Sequence, residues 1–125
     1  MLHIVDASVF LAVARGDCDV IHRLAMMRKG ELTVPEPVIV HTGIEVRSLP
    51  QFEAFERWAQ FVEAMPRLAW NEEVTEALLD LEPPPGLAVD LDAITAAHAI
   101  ARKAAVYTRE ADRYAWVRRL RVVAI

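Results

Sequence analysis

The stretch LHIVDASVF (residues 2–10) decides the fold. Leu2, Ile4 and Val5 make a short apolar run of the kind that forms a buried strand, and the run stops on Asp6. A helical segment follows at once, from Val9 to Ala14, and Gly16 ends it. A buried strand that ends on a carboxylate and passes straight into a helix is how an open α/β sheet begins. Such sheets bind their ligands beyond the carboxyl ends of the strands. Asp6 therefore has two readings, as an acid of a binding site and as the N-cap of a helix starting near Ser8.

The rest of the chain repeats the alternation. Val20, Ile21, Leu24 and Met27 have helical spacing, closed by Lys29-Gly30, and Leu32–Val34 reads as a second strand. Pro37 suits the first turn of a helix that runs from Val38 toward Leu49, and Pro50 ends it. Phe52, Phe55, Ala59 and Val62 mark the next helix, and Leu68–Trp70 a third strand. Asn71 reads as the N-cap of a helix reaching about Leu81, with Glu72 and Glu73 well placed in its first turn. After the stiff loop at Glu82–Gly86, Asp92–Arg102 is a strong helix. Ala105–Tyr107 is a fourth strand, Arg113–Arg119 a short helix and Arg121–Ile125 a last strand. The expectation is one α/β domain over residues 1–125, with a parallel sheet of four or five strands between helical layers.

Composition narrows the function. At 54% hydrophobic the chain is too apolar for disorder, and no apolar run approaches the length of a membrane span. The start lacks the pattern of a signal peptide. The lone Cys18 cannot form an internal disulfide, which fits a reducing cytoplasm. Residues 1–101 carry a net charge of −9 and residues 102–125 one of +5, an acidic body with a basic end that can face nucleic acid. The whole-chain charge of −4 argues against tight non-specific binding to duplex DNA. Gly16, Gly30, Gly43 and Gly86 are scattered, so no phosphate-cradling loop exists and nucleotide kinases and dinucleotide enzymes are excluded. Ser8 stands where a dehalogenase-type phosphatase needs a second acid, and the acid pair and lysine of a receiver domain are missing.

Five further acids fall near the expected strand ends: Glu45, Asp90, Asp92, Glu110 and Asp112. Each has an ordinary reading as a cap, a dipole-favoured residue or a solvated one. Together, with strands one and four adjacent, they converge. Converging carboxylates repel, and a hard divalent cation relieves the repulsion. His3, His22, His41 and His98 show no zinc spacing, so the metal implied is Mg²⁺ or Mn²⁺, the kind of site that clamps phosphate and activates water.

With IVDASVFLAV at one end, VDLDAITAAHAIARKAAVYTREAD and LRVVAI near the other, the whole chain resembles the PIN-domain family, and within it the VapC-type toxin ribonucleases. The resemblance implies a PIN-like three-layer α/β/α sandwich and a Mg²⁺- or Mn²⁺-dependent endoribonuclease. It also implies a small antitoxin partner and a homodimer. By position it implies Asp6 and Asp92 as metal ligands, with Ser8 supporting Asp6. The family's glutamate falls at His41, while Glu45, one turn on, sits in Ile-Glu-Val-Arg-Ser and matches the family's Glu-Val-x-Ser. The family's Thr-x-Asp is Thr108-Arg109-Glu110, with Asp112 as a substitute ligand. Asp90 is an extra acid at the rim or a cap. Arg109 and Arg113 are candidate RNA contacts. Phe52, Phe55 and Phe61 around Trp58 are either core or a groove for an antitoxin helix. The alternative function is a catalytically degenerate PIN-like module that binds RNA or protein.

Overall fold

The computed structural model describes residues 2–28, 30–86 and 90–125. Lys29 and Val89, used above to bound a helix and to open a motif, lie outside the described residues. Five parallel strands form one sheet: β1 (His3–Val5), β2 (Leu32–Pro35), β3 (Arg67–Leu68), β4 (Ala105–Thr108) and β5 (Arg121–Ala124). Their order is β3-β2-β1-β4-β5, which puts the strand ending at Asp6 in the centre. His3, Ile4 and Val5 register against Ala105, Val106 and Tyr107 of β4, and His3 and Ile4 against Leu32 and Thr33 of β2.

Successive strand residues point to opposite faces, and here both faces are covered. Val5 and Val34 join the core beneath α1 (Ala7–Arg15), α2 (Cys18–Ala25), α3 (Glu36–Glu45) and α4 (Ala54–Glu63). Ile4 and Val106 join the core beneath α6 (Leu91–Arg102), beside which α5 (Glu72–Asp80) packs. Buried alanines at 93, 96, 97 and 99 give α6 a small-residue face against the sheet. The result is the expected three-layer α/β/α architecture, with five strands.

Local chemistry sets the helix ends. Asp6 caps α1, and Gly16 closes it in the left-handed region (φ 83°) that glycine adopts without strain. Asn71 caps α5 through Val74 N at 3.0 Å. Asp90, not Asp92, caps α6: its Oδ1 accepts from Ala93 N at 3.0 Å. That leaves the Asp92 side chain free for other partners.

Two expected elements differ. The helix expected over Arg113–Arg119 is a 3₁₀ turn at Ala111–Tyr114. Its amides reach back three residues, Arg113 N to Glu110 O (3.0 Å) and Ala115 N to Asp112 O (3.2 Å), and Arg119 takes φ 61°, a conformation no α-helix holds. The third strand is Arg67–Leu68 and not Leu68–Trp70. The Trp70 indole instead donates to Thr75 Oγ1 (2.7 Å) on α5. No helix among the described residues is long and apolar enough to cross a membrane.

Candidate active site

Because β1 and β4 are parallel neighbours, their carboxyl ends lie side by side. Asp6 follows the first and Thr108 ends the second. The Asp6 amide donates to Tyr107 O (3.1 Å), which fixes the junction. Asp6 is buried, and three donors hold its carboxylate. Ser8 Oγ (2.6 Å) and Val9 N (3.3 Å) donate to Oδ1, and the Tyr114 hydroxyl (2.8 Å) donates to Oδ2. Asp6 thus fills both of its readings, helix cap and acid at the end of the central strand.

A hydroxyl network ties the two strand ends together. Ser8 Oγ lies 3.2 Å from Thr108 Oγ1 and accepts from Arg109 N (2.9 Å), while Thr108 Oγ1 accepts from Glu110 N (2.9 Å). The buried Thr108 and the half-buried Ser8 so form the floor beneath Asp6.

Asp92 reaches this floor from the first turn of α6. The Tyr114 hydroxyl also lies 3.3 Å from Asp92 Oδ1, so one phenolic proton serves two carboxylates. Burial, with the adjacent Asp6 and Asp92 charges, pushes the Tyr114 phenol far up, and it remains a donor. Burial also raises the Asp92 carboxyl above its ordinary range, aided by Asp90 and Asp6 and opposed by Arg113. Arg113 Nε stands 2.7 Å from Asp92 Oδ2, and its Nη1 donates to Glu110 Oε2 at 2.8 Å.

These groups lie at an open cleft of about 710 Å³. Ser8, His41, Glu45, Asp90, Asp92, Arg109, Glu110 and Arg113 all line it, as do Arg15 and Asp17, which the sequence reading did not single out. Asp6 and Thr108 are buried behind Ser8, which lines it. His41 and Glu45 are neighbours on α3, 3.6 Å apart, so both candidates for the middle position face the same cleft. Asp112 lies exposed on the 3₁₀ turn and does not line it. Arg109 is tethered: its Nη1 donates to Ile125 O (2.7 Å) and its Nη2 lies 3.6 Å from Asp17.

Tyr114, Arg15 and Asp17 are the residues missed. Tyr114 sits 108 positions from Asp6, and its only local signal was a polar-tipped aromatic inside a charged stretch. Asp17 caps α2 through Asp19 N and Val20 N, and capping was its only visible role in sequence.

In donor chemistry the cluster suits a hard divalent cation. Asp6 and Asp92, both oxygen donors, approach a common atom. As arranged, however, no three acidic, histidine or cysteine groups among the described residues could hold a metal ion together. Arg113 supplies the positive charge between Asp92 and Glu110.

No family model and no curated relative matches the chain. Solved structures do match. The VapBC2 complex of Rickettsia felis, bound to a promoter DNA fragment, aligns with TM-score 0.83 at 15% identity over 99% of this chain and 98% of its own. DNA-bound VapBC from Salmonella typhimurium aligns with TM-score 0.80 at 14% identity, over 99% and 98%. The sarcin–ricin-loop-cleaving toxin VapC20 of Mycobacterium tuberculosis aligns with TM-score 0.65 at 14% identity, over 86% and 87%. At these identities the likeness shows the fold, a PIN-like α/β/α sandwich.

Proposed function

We propose that this chain is a divalent-metal-dependent endoribonuclease, the toxin of a toxin–antitoxin pair. One observation carries the reading. Asp6, ending the central strand, and Asp92, on the first turn of α6, meet at the Tyr114 hydroxyl on the edge of a cleft edged by arginines. The match to VapBC complexes over 99% of the chain supports the toxin assignment.

Asp6 and Asp92 are the residues that would hold Mg²⁺ or Mn²⁺, with Glu110 joined to Asp92 through Arg113. When bound, such a cation activates water and neutralises charge developing on phosphate. Ser8 and Thr108 keep Asp6 oriented, and the backbone amides of Arg109 and Glu110 fix both hydroxyls. Arg15 and Arg113 offer phosphate contacts at the cleft mouth. Glu45, beside His41, faces the cleft as the general base of the middle position.

The antitoxin fits a second, apolar groove of about 360 Å³ between α2 and α4, lined by Ile21, Leu24, Met27, Phe61 and Met65. Its shape and lining suit an amphipathic helix. A homodimer is assigned to the face where Val40, Ile44 and Trp70 stand exposed.

A second reading has its own support. With Arg113 bridging the acids and no three-ligand cluster among the described residues, the chain would be a non-catalytic PIN-like module binding RNA or protein. Cleavage of total RNA with Mg²⁺, with and without chelator, separates the two. The nuclease reading expects chelation to abolish cleavage. It also expects Asp6→Asn and Asp92→Asn each to lower the rate by about 10²-fold or more with unchanged circular dichroism. Full activity in both variants sinks it.

A further inference from the structure

We propose that Arg113 is a built-in counter-cation of the cleft, which gives up Asp92 and Glu110 when a divalent cation enters and then turns to the RNA phosphate. The inference rests on the metal-dependent reading and adds a step to it.

The cleft's arginines are not equivalent. Arg109 is anchored to Ile125 O and faces Asp17, so it belongs to the wall. Among the described residues the Arg113 side chain is held only by acids, Asp92 at 2.7 Å and Glu110 at 2.8 Å. Those acids are two of the candidate metal ligands. Consecutive residues engage both oxygens of Asp92, Tyr114 at Oδ1 and Arg113 at Oδ2. A guanidinium thus stands between two of the acids.

The contact is suited to exchange. The Arg113 side chain is 56% exposed, and its long stem leaves a 3₁₀ turn, so it can swing outward without disturbing the core. The Arg113–Glu110 pair is exposed on both sides (56% and 50%) and such pairs contribute little net stability, whereas a divalent cation brings twice the charge to the same oxygens. Released into the cleft, the guanidinium is a bidentate phosphate ligand. Loading with metal would thereby prime the cleft for RNA. The competing role for Arg113 is a permanent clamp that aims Asp92 and Glu110, and that role predicts the opposite response to its removal.

Calorimetric titration of Mn²⁺ into the full chain and its Arg113→Gln variant decides between them. Displacement predicts that the variant binds Mn²⁺ on the order of tenfold more tightly. Equal or weaker binding in the variant overturns the displacement while leaving the metal site standing. No binding to either protein overturns the metal-dependent reading itself, and the displacement falls with it. A measurement on the unaltered chain stands should the variant fail to fold. The Arg113 Nε–H resonance, hydrogen-bonded to Asp92, is expected to shift and lose protection from solvent exchange during a Mg²⁺ titration. A resonance unmoved at a Mg²⁺ concentration that saturates the calorimetric site overturns the proposal.

Discussion

Tyr114 offers one proton to two buried-side carboxylates, and this makes it the residue on which the cleft depends without metal. Tyr114→Phe leaves Asp6 Oδ2 without its donor and brings two charges together unscreened. A loss of about 1–3 kcal/mol in metal-free stability is expected, read by urea unfolding, with a larger Mn²⁺-induced rise in Tm than in the parent chain. An equal rise in both would mean that the phenol does not link the acids. His98 is the opposite case. It is fully buried on α6, both ring nitrogens lack hydrogen-bond partners among the described residues, and its edge meets Trp70 at 5.5 Å between centroids. Burial, with a smaller contribution from Arg102, lowers its pKa to about 4. The unfolded chain therefore binds the proton first. The stability held above the ordinary pKa of 6.5 declines as pH falls toward about 4. His98→Leu should flatten the Tm–pH curve over that window. Asp6 was legible in sequence because a strand that ends on an acid is a local pattern. Tyr114 was not, because its partners arrive only through the tertiary fold.

Among the elements, α3 and α4 touch most closely where a side chain is missing. A Cβ at Gly43 would lie 2.9 Å from two carbons of the Trp58 ring. That ring cannot retreat easily, since its Nε1 donates to Thr42 Oγ1 at 2.8 Å. Gly43→Ala is expected to cost about 1–3 kcal/mol through overpacking, although alanine favours helix, and thermal denaturation checks the sign. A gain would show that the helices can part. The aromatics read together in sequence divide between two tasks. Trp58 and Phe55 pair on α4 (5.3 Å), Phe61 packs on Phe10 (4.9 Å) and borders the groove, and Phe52 is exposed. Helices α5 and α6 were legible because caps and 3.6-residue spacing agree there. The turn at Ala111–Tyr114 was misread because Tyr114 and Val117, three apart, are buried in a 3₁₀ turn and the loop after it just as they would be in an α-helix.

For the whole molecule, the charge asymmetry resolves into two surfaces. Of the basic end, Arg109 and Arg113 line the acidic cleft, while Arg118 and Arg119 line a separate cavity with Trp116 and Asp80. Sequence could count these charges but not sort them, since sorting requires knowing where the chain turns after β4. The exposed side chains of Val40 (59%), Ile44 (69%) and Trp70 (42%) form the apolar face assigned to self-association. Ile44→Lys is expected to convert a dimer to a monomer in light scattering with Tm nearly unchanged. A parent chain already monomeric at micromolar concentration would remove that assignment.

The strand order has a consequence in time. A ribosome releases the chain N-terminal residues first, so Asp6 emerges well before its neighbour strand β4 and its donor Tyr114. Until they emerge, β1 has only β2 and β3 on one flank, and the acids have neither floor nor proton. A chain still being translated thus presents Asp6 without the hydroxyl that holds its outer oxygen. Stalled nascent chains ending before Thr108 should leave β1 open to protease, and chains extending past Ile125 should protect it.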